Sequence, residues 1–132
     1  MKIERDDAQG RNTFTGYGEG YVEVNLRRYS SSLVVAGDRV ITSWPAASLE
    51  SLTADHLAAI VELAPEIVLL GTGSAFSFPE PQLLAPLRKA GIGVEVMDTP
   101  AACRTYNILL GEGRNVVAAL IVTPATTSGE SA

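Results

Sequence analysis

Ile67-Val-Leu-Leu-Gly-Thr-Gly-Ser74 and, further on, Pro86-Leu-Arg-Lys-Ala-Gly-Ile-Gly-Val-Glu-Val-Met-Asp-Thr-Pro-Ala-Ala-Cys-Arg-Thr-Tyr-Asn107 decide the fold. Ile67 to Leu70 is short and apolar on both faces, as strands buried inside a parallel sheet are, and Val94 to Met97 makes the next strand. Each run stops at glycine or polar residues, and a leucine-rich, helix-like segment separates the two. In open α/β sheets, ligands gather beyond the carboxyl ends of the strands. Gly71, Gly73 and Ser74 from one strand end, and Asp98 and Thr99 from the other, are therefore expected to share a crevice.

Outward from this stretch, Thr53 is a suitable N-cap for a helix running to about Leu63, with Asp55 favourable beside the positive helix end. Leu57, Ile60, Val61 and Ala64 recur at helical spacing and are expected to face the sheet, and Pro65 stops the helix. A second helix is expected from about Pro79-Glu80 through Leu83, Leu84 and Leu87, kinked or started late by Pro86. The third begins at Thr99, taken as its cap, with Pro100 at the favoured first position, and carries Ala102, Tyr106, Leu109 and Leu110. Val116 to Val122 reads as a last buried strand.

The first third of the chain is β-rich. Tyr21 to Val24 alternates, and Phe14 to Tyr21 interleaves aromatics with Gly16, Gly18 and Gly20. Leu33-Val34-Val35, Gly37-Asp38 and Val40-Ile41 predict a hairpin closed by a type II′ turn. The expected fold is α/β: a single three-layer domain over residues 13–122, with a central mixed sheet, an N-terminal β-hairpin layer and about three helices. Residues 1–12 and the tail 123–132 are expected to be disordered.

Composition bounds the function. The chain has 132 residues, 46% of them apolar and 19% charged, with a net charge of −5. Its ten cations are scattered, whereas a phosphate backbone demands clustered ones, so nucleic acid is not an expected partner. The single cysteine, Cys103, precludes an intramolecular disulfide and fits a reducing compartment. The opening Met-Lys-Ile-Glu-Arg-Asp-Asp lacks a signal-peptide apolar region, and no apolar run approaches the ~20 residues that span a bilayer. A cytoplasmic location is expected.

Gly71-Thr72-Gly73 after a strand, with Asp98 further on, has the outline of a dinucleotide fingerprint. Phe76 occupies the third-glycine position, however, and a tight strand-to-helix turn explains the glycines better. Asp98 and Thr99 read as caps, or together with Arg104 and Asn107 on one helix face as a site for a small polar molecule or a partner backbone. Cys103 reads as buried and inert. His56 is the only histidine; a Ser74–His56–Asp98 triad would lack the Gly-x-Ser-x-Gly elbow, and one His with one Cys supports no metal site. Trp44 reads as core, or, if exposed, as a partner anchor. No catalytic residue, cofactor or metal is assigned.

Gly-Thr-Gly at 71–73, Gly91 to Asn107, Glu112-Gly113-Arg114 and Ala118-Ala119-Leu120 resemble the domain-of-unknown-function family that includes mitochondrial complex I assembly factor 3 and the adipogenesis-associated domain protein. Tyr29 to Ser32, Trp44 and Leu52-Thr53 are weaker echoes, so the resemblance spans about residues 20–122. It implies a three-layer α/β fold and a partner-binding role without established enzymatic activity. Gly71, Gly73, Asp98, Thr99, Ala102, Cys103, Thr105, Asn107, Glu112 and Arg114 match the motif, while Arg104 and Tyr106 fall where it is looser. The absence of a transit peptide points to a bacterial-type member. The expectation is a non-enzymatic interaction or assembly protein, with Gly71, Gly73, Ser74, Asp98, Thr99, Thr105 and Asn107 forming the binding crevice and Trp44 and Arg104 as weaker anchors. The alternative is a small-molecule binding protein or enzyme using the same crevice. A homodimer through the hairpin edge is a further expectation.

Overall fold

In the computed structural model, which describes residues 11–124, the chain forms two sheets and three helices. The strands are β1 (Phe14–Gly18), β2 (Tyr21–Val24), β3 (Arg27–Tyr29), β4 (Leu33–Ala36), β5 (Arg39–Ile41), β6 (Ile67–Gly71), β7 (Gly93–Met97) and β8 (Val116–Leu120). The helices are α1 (Ala54–Val61), α2 (Ala85–Lys89) and α3 (Thr99–Gly111). A five-stranded mixed sheet has the order β5-β4-β8-β6-β7, and β1-β2-β3 form a separate meander. β6 pairs in parallel with both β7 and β8, while β4 runs antiparallel to β8 and β5. The expected disorder of residues 1–10 and 125–132 lies outside the described residues. Asn12 is tied to the body: its N–H donates to Gly37 O at 2.9 Å and its Nδ2 to Ala36 O at 2.8 Å.

Strand alternation divides the core between the faces of the main sheet. Val34, Val68, Leu70, Val117 and Ala119 pack with Leu57 and Ile60 of α1 and Leu87 of α2. Leu33, Val35, Leu69, Ala118 and Leu120 face Ala102, Cys103, Tyr106 and Leu110 of α3, joined by Phe14, Val22 and Val24 from the small sheet. Each large side chain so buried contributes roughly 1.5–3 kcal/mol before entropy is counted.

Local chemistry sets the element ends. Thr53 Oγ1 accepts from His56 N–H at 3.2 Å, and His56 Nδ1 accepts from Thr53 N–H at 3.0 Å, a reciprocal cap on α1. The helix ends earlier than its apolar spacing suggests, because Ala64 takes φ 51° and is exposed instead of facing the sheet. A 3₁₀ turn over Pro81–Leu84 precedes α2, so Pro86 falls in the first turn, where its missing N–H costs nothing. Asp98, not Thr99, caps α3, its Oδ1 accepting from Ala101 N–H at 2.8 Å.

Two details depart from expectation in the β-rich third. The hairpin at Gly37-Asp38 belongs to the main sheet, and the separate layer is the meander. Gly37 lacks the positive φ of a II′ turn, and its carbonyl accepts from the Asn12 N–H. The I′-type connection instead joins β2 to β3, where Asn25 (φ 51°) and Leu26 (φ 70°) both take left-handed backbone.

Candidate functional site

The carboxyl ends of β6 and β7 do meet α3, and the contact is close. A Cβ on Gly71 would lie 2.8 Å from Leu120 Cδ2 and Thr99 Oγ1 and 3.0 Å from Thr99 Cα, so only glycine lets the helix start sit against the strand. Thr99 is buried and ties three elements together. Its hydroxyl donates to Ile121 O at 2.8 Å and accepts from Gly73 N–H at 2.9 Å, while its own N–H donates to Gly73 O at 2.8 Å. Gly73 takes φ +114° to make that turn.

These bonds decide what the crevice can do. A helix N-terminus attracts anions because its first N–H groups lack intrahelical partners. In α3, Thr99 N–H is given to Gly73 O, Pro100 has none, and Ala101 N–H is given to Asp98. The donors a pyrophosphate would need are already used. What remains is a cavity of about 220 Å³ lined by Tyr17, Gly18, Glu19, Gly20 and Tyr21 of the first hairpin, by Gly73, Ser74, Thr99 and Pro100, and by residues 121–124. Tyr17 OH accepts from Arg104 Nη1 at 2.7 Å at its rim, and Arg28 stacks 3.8 Å over the Tyr21 ring.

The residues singled out from sequence therefore divide. Gly73, Ser74 and Thr99 line the cavity, with Ser74 exposed and Gly71 buried beneath. Asp98 serves as the helix cap. Thr105 and Asn107 lie farther along α3 and do not line the cavity. Asn107 is committed elsewhere: its Oδ1 accepts from Phe14 N–H at 2.9 Å and its Nδ2 donates to Phe14 O at 2.7 Å, so its amide pairs with the edge of β1 as another strand would. Arg104 is exposed and holds Tyr17. Trp44 is only 7% exposed, sits in the core and donates through Nε1 to His56 O at 3.1 Å; buried in this way it offers no surface anchor.

Cys103 faces the core, 1% exposed, and burial pushes its thiol from near 9 up to about 12, against the lowering effect of Arg104. It is not a nucleophile at neutral pH. Burial likewise raises the Tyr106 hydroxyl, which donates to Asn12 O at 3.0 Å. Among the described residues, no three of His, Cys, Asp and Glu come together as a metal cluster.

One feature was not singled out from sequence. Beside Ser74, the loop after β6 carries Phe76, 46% exposed, and Phe78, 84% exposed, their rings edge to face at 4.6 Å. Thr72 holds the loop by donating to Ala75 O at 2.9 Å and accepting from Ser77 N–H at 3.2 Å. The Phe-Ser-Phe alternation was visible in the sequence, but its exposure was not. At the opposite end of the sheet a hollow of about 450 Å³ includes Arg11, Asp38, Arg39, Glu62 and Arg114. Its three arginines are already engaged, Arg11 with Leu110 O at 3.1 Å, Arg114 with Glu66 at 2.8 Å and Arg39 with Asp38 at 3.9 Å.

Comparison with known proteins adds an independent line. Over 128 residues the chain is 42% identical to NADH dehydrogenase [ubiquinone] 1 alpha subcomplex assembly factor 3 of Homo sapiens, covering 96% of this chain and 68% of that protein. It is 30% identical over 122 residues to the 13 kDa major membrane protein of Francisella tularensis, covering 92% of this chain and 99% of that one. In the present chain, no helix among the described residues is long and apolar enough to cross a membrane. A crystal structure of a Bordetella parapertussis protein superposes with a TM-score of 0.81 at 46% identity, covering 86% of this chain and 97% of that one. Residues 14–121 match the model of a protein family of unknown function, DUF498/DUF598, and the chain belongs to that family.

Proposed function

We propose that this chain is a non-enzymatic, partner-binding protein of the assembly-factor kind, and that it meets its partner at the carboxyl end of the main sheet. The observation that carries this reading is a small cavity with its backbone donors spent, beside an exposed aromatic pair. Substrate pockets usually offer about 300–1,000 Å³ with convergent polar groups, more than the 220 Å³ found here. Exposed apolar patches mark interaction surfaces, and large aromatics dominate their energetics. Phe76 and Phe78 are the anchors, and Gly73, Ser74, Tyr17 and Arg104 form the flank. The assembly role in the human relative's name supports a protein partner, and the proposal extends to a partner from a respiratory complex. A cytoplasmic location is part of the proposal.

Ser74 and the Arg104–Tyr17 pair at the cavity mouth favour a second reading, a small polar ligand held there. Native mass spectrometry of the protein captured gently from its own cells separates the two. A reproducible protein partner, lost on Phe76→Ser/Phe78→Ser while the melting temperature holds, is the expected result. An adduct of a few hundred daltons with no protein partner overturns it.

A further inference from the structure

Among the described residues the two sheets present four edges, and three of them are guarded. β1 has a register shift between Phe14 and Gly16, and the Asn107 amide occupies its start. β3 is three residues long and carries Arg27 and Arg28, and β5 is equally short and begins at Arg39. Bulges, short length and charge are the ordinary means of keeping a free edge from pairing. β7 is the least guarded: it is five residues long, in unbroken register with β6, contains no proline and no cation, and its one charge is Glu95.

Its hydrogen-bonding groups can be assigned. Gly93 N–H donates to Glu66 O at 3.1 Å and Met97 O accepts from Thr72 N–H at 2.9 Å, so Gly93, Glu95 and Met97 turn their backbone groups toward β6. By alternation Val94 and Val96 turn theirs outward, and these have no hydrogen-bond partner among the described residues. The side chains of Val94 and Val96 pack on the core shared with α1 and α2. Glu95, on the other face, is exposed and takes part in neither of the two ion pairs among the described residues.

We propose that β7 is a strand-addition edge, and that its occupant is an extended segment of a partner protein, apolar on the face continuing Val94 and Val96 and bearing Lys or Arg opposite Glu95. Charge selects this occupant over a second copy of the chain. An antiparallel pairing of two copies that engages both valines sets Val94 against Val96 and Glu95 against Glu95, and like charges directly opposed are destabilising. The inference stands on the backbone geometry of β7 and does not depend on the aromatic loop.

The test uses two capped octapeptides that alternate Val with Thr, one with a central Lys and one with Glu in its place, titrated into the labelled protein. The Lys peptide is expected to shift and protect the amides of Val94 and Val96 and to bind about fivefold tighter than the Glu peptide, the scale of a cross-strand charge pair. Glu95→Lys should invert that preference. Val94→Pro, which removes an outward N–H and leaves the β6 ladder intact, should abolish binding. Phe76→Ser/Phe78→Ser should bind the Lys peptide unchanged, so failure here and failure of the aromatic anchor are told apart. The proposal is overturned by no binding at millimolar peptide, by shifts confined to β3, β5 or the aromatic loop, by indifference to the charge swap, or by a dimer that Val94→Pro dissociates.

Discussion

In the main sheet every residue of β8 is buried, and helices cover both faces. The small sheet buries chiefly Phe14, Val22 and Val24, and it is fastened to α3 by a row of side-chain bonds. Arg104 holds Tyr17, Asn107 holds Phe14, Tyr106 holds Asn12, and Arg11 reaches back to Leu110. One sheet is held by area removed from water, the other by direction. Burial is worth more, but it tolerates sliding; hydrogen bonds each contribute only about 1 kcal/mol net, yet they fix which residue meets which. The small sheet should therefore open locally before the molecule unfolds.

The comparison can be broken most severely at Gly71. Gly71→Val should cost about 3 kcal/mol or more in urea unfolding, because the added carbons meet backbone as well as side chain; a loss under 1 kcal/mol would mean α3 does not need the close approach. Next comes Thr99→Val, which leaves Gly73 N–H and Ile121 O unpaired in a buried site and should cost about 1–3 kcal/mol. Alkaline titration probes the same side of the sheet. An unfolded Cys103 gives up its proton near pH 9, whereas the folded one holds it to about 12. Above pH 9 the unfolded state thus binds fewer protons, and stability falls by up to about 1.4 kcal/mol per pH step until the folded thiol also ionises. Cys103→Ala should flatten that slope, and the native thiol should resist alkylation at pH 8.

Asn107→Ala sharpens the contrast directly. We expect amide exchange in β1 to β3 to be accelerated by the equivalent of about 1–2 kcal/mol and to remain faster than in β6 and β8, whose opening free energy falls by no more than the same amount. Equal protection of the two sheets would mean that they open as one unit. The smallest effect belongs to Phe76→Ser/Phe78→Ser, within about 0.5 kcal/mol, because those rings are largely in solvent already.

The same contrast explains what could be read in advance. Ile67 to Leu70, Val94 to Met97, α3 and Val116 to Leu120 are legible because burial writes itself as apolar runs and helical spacing. Pro86 and Thr53 mark helix starts for local reasons. The small sheet was harder. Leu26 is a poor residue for left-handed backbone, so the turn between β2 and β3 carried no signature, and β3 with two arginines does not look like a strand. The meeting of the β6 and β7 ends with the start of α3 followed from topology, but the duty of Asn107 did not. Its partner is the backbone of Phe14, 93 residues away, and a backbone leaves no mark in the sequence. Trp44 and Phe76 show the same limit in opposite senses, since residue type alone does not say which aromatic is covered.

β8 lies in the middle of the main sheet yet is the last of the described strands in chain order, with Leu33 of β4 paired to Leu120. During synthesis, β4 and β6 therefore leave the ribosome with an empty slot between them that only a much later segment can fill. Until Val116 to Leu120 arrives, the facing edges of both neighbours stay unpaired. Folding of this domain should accordingly be slow, a single late step paced by the closure of one long loop.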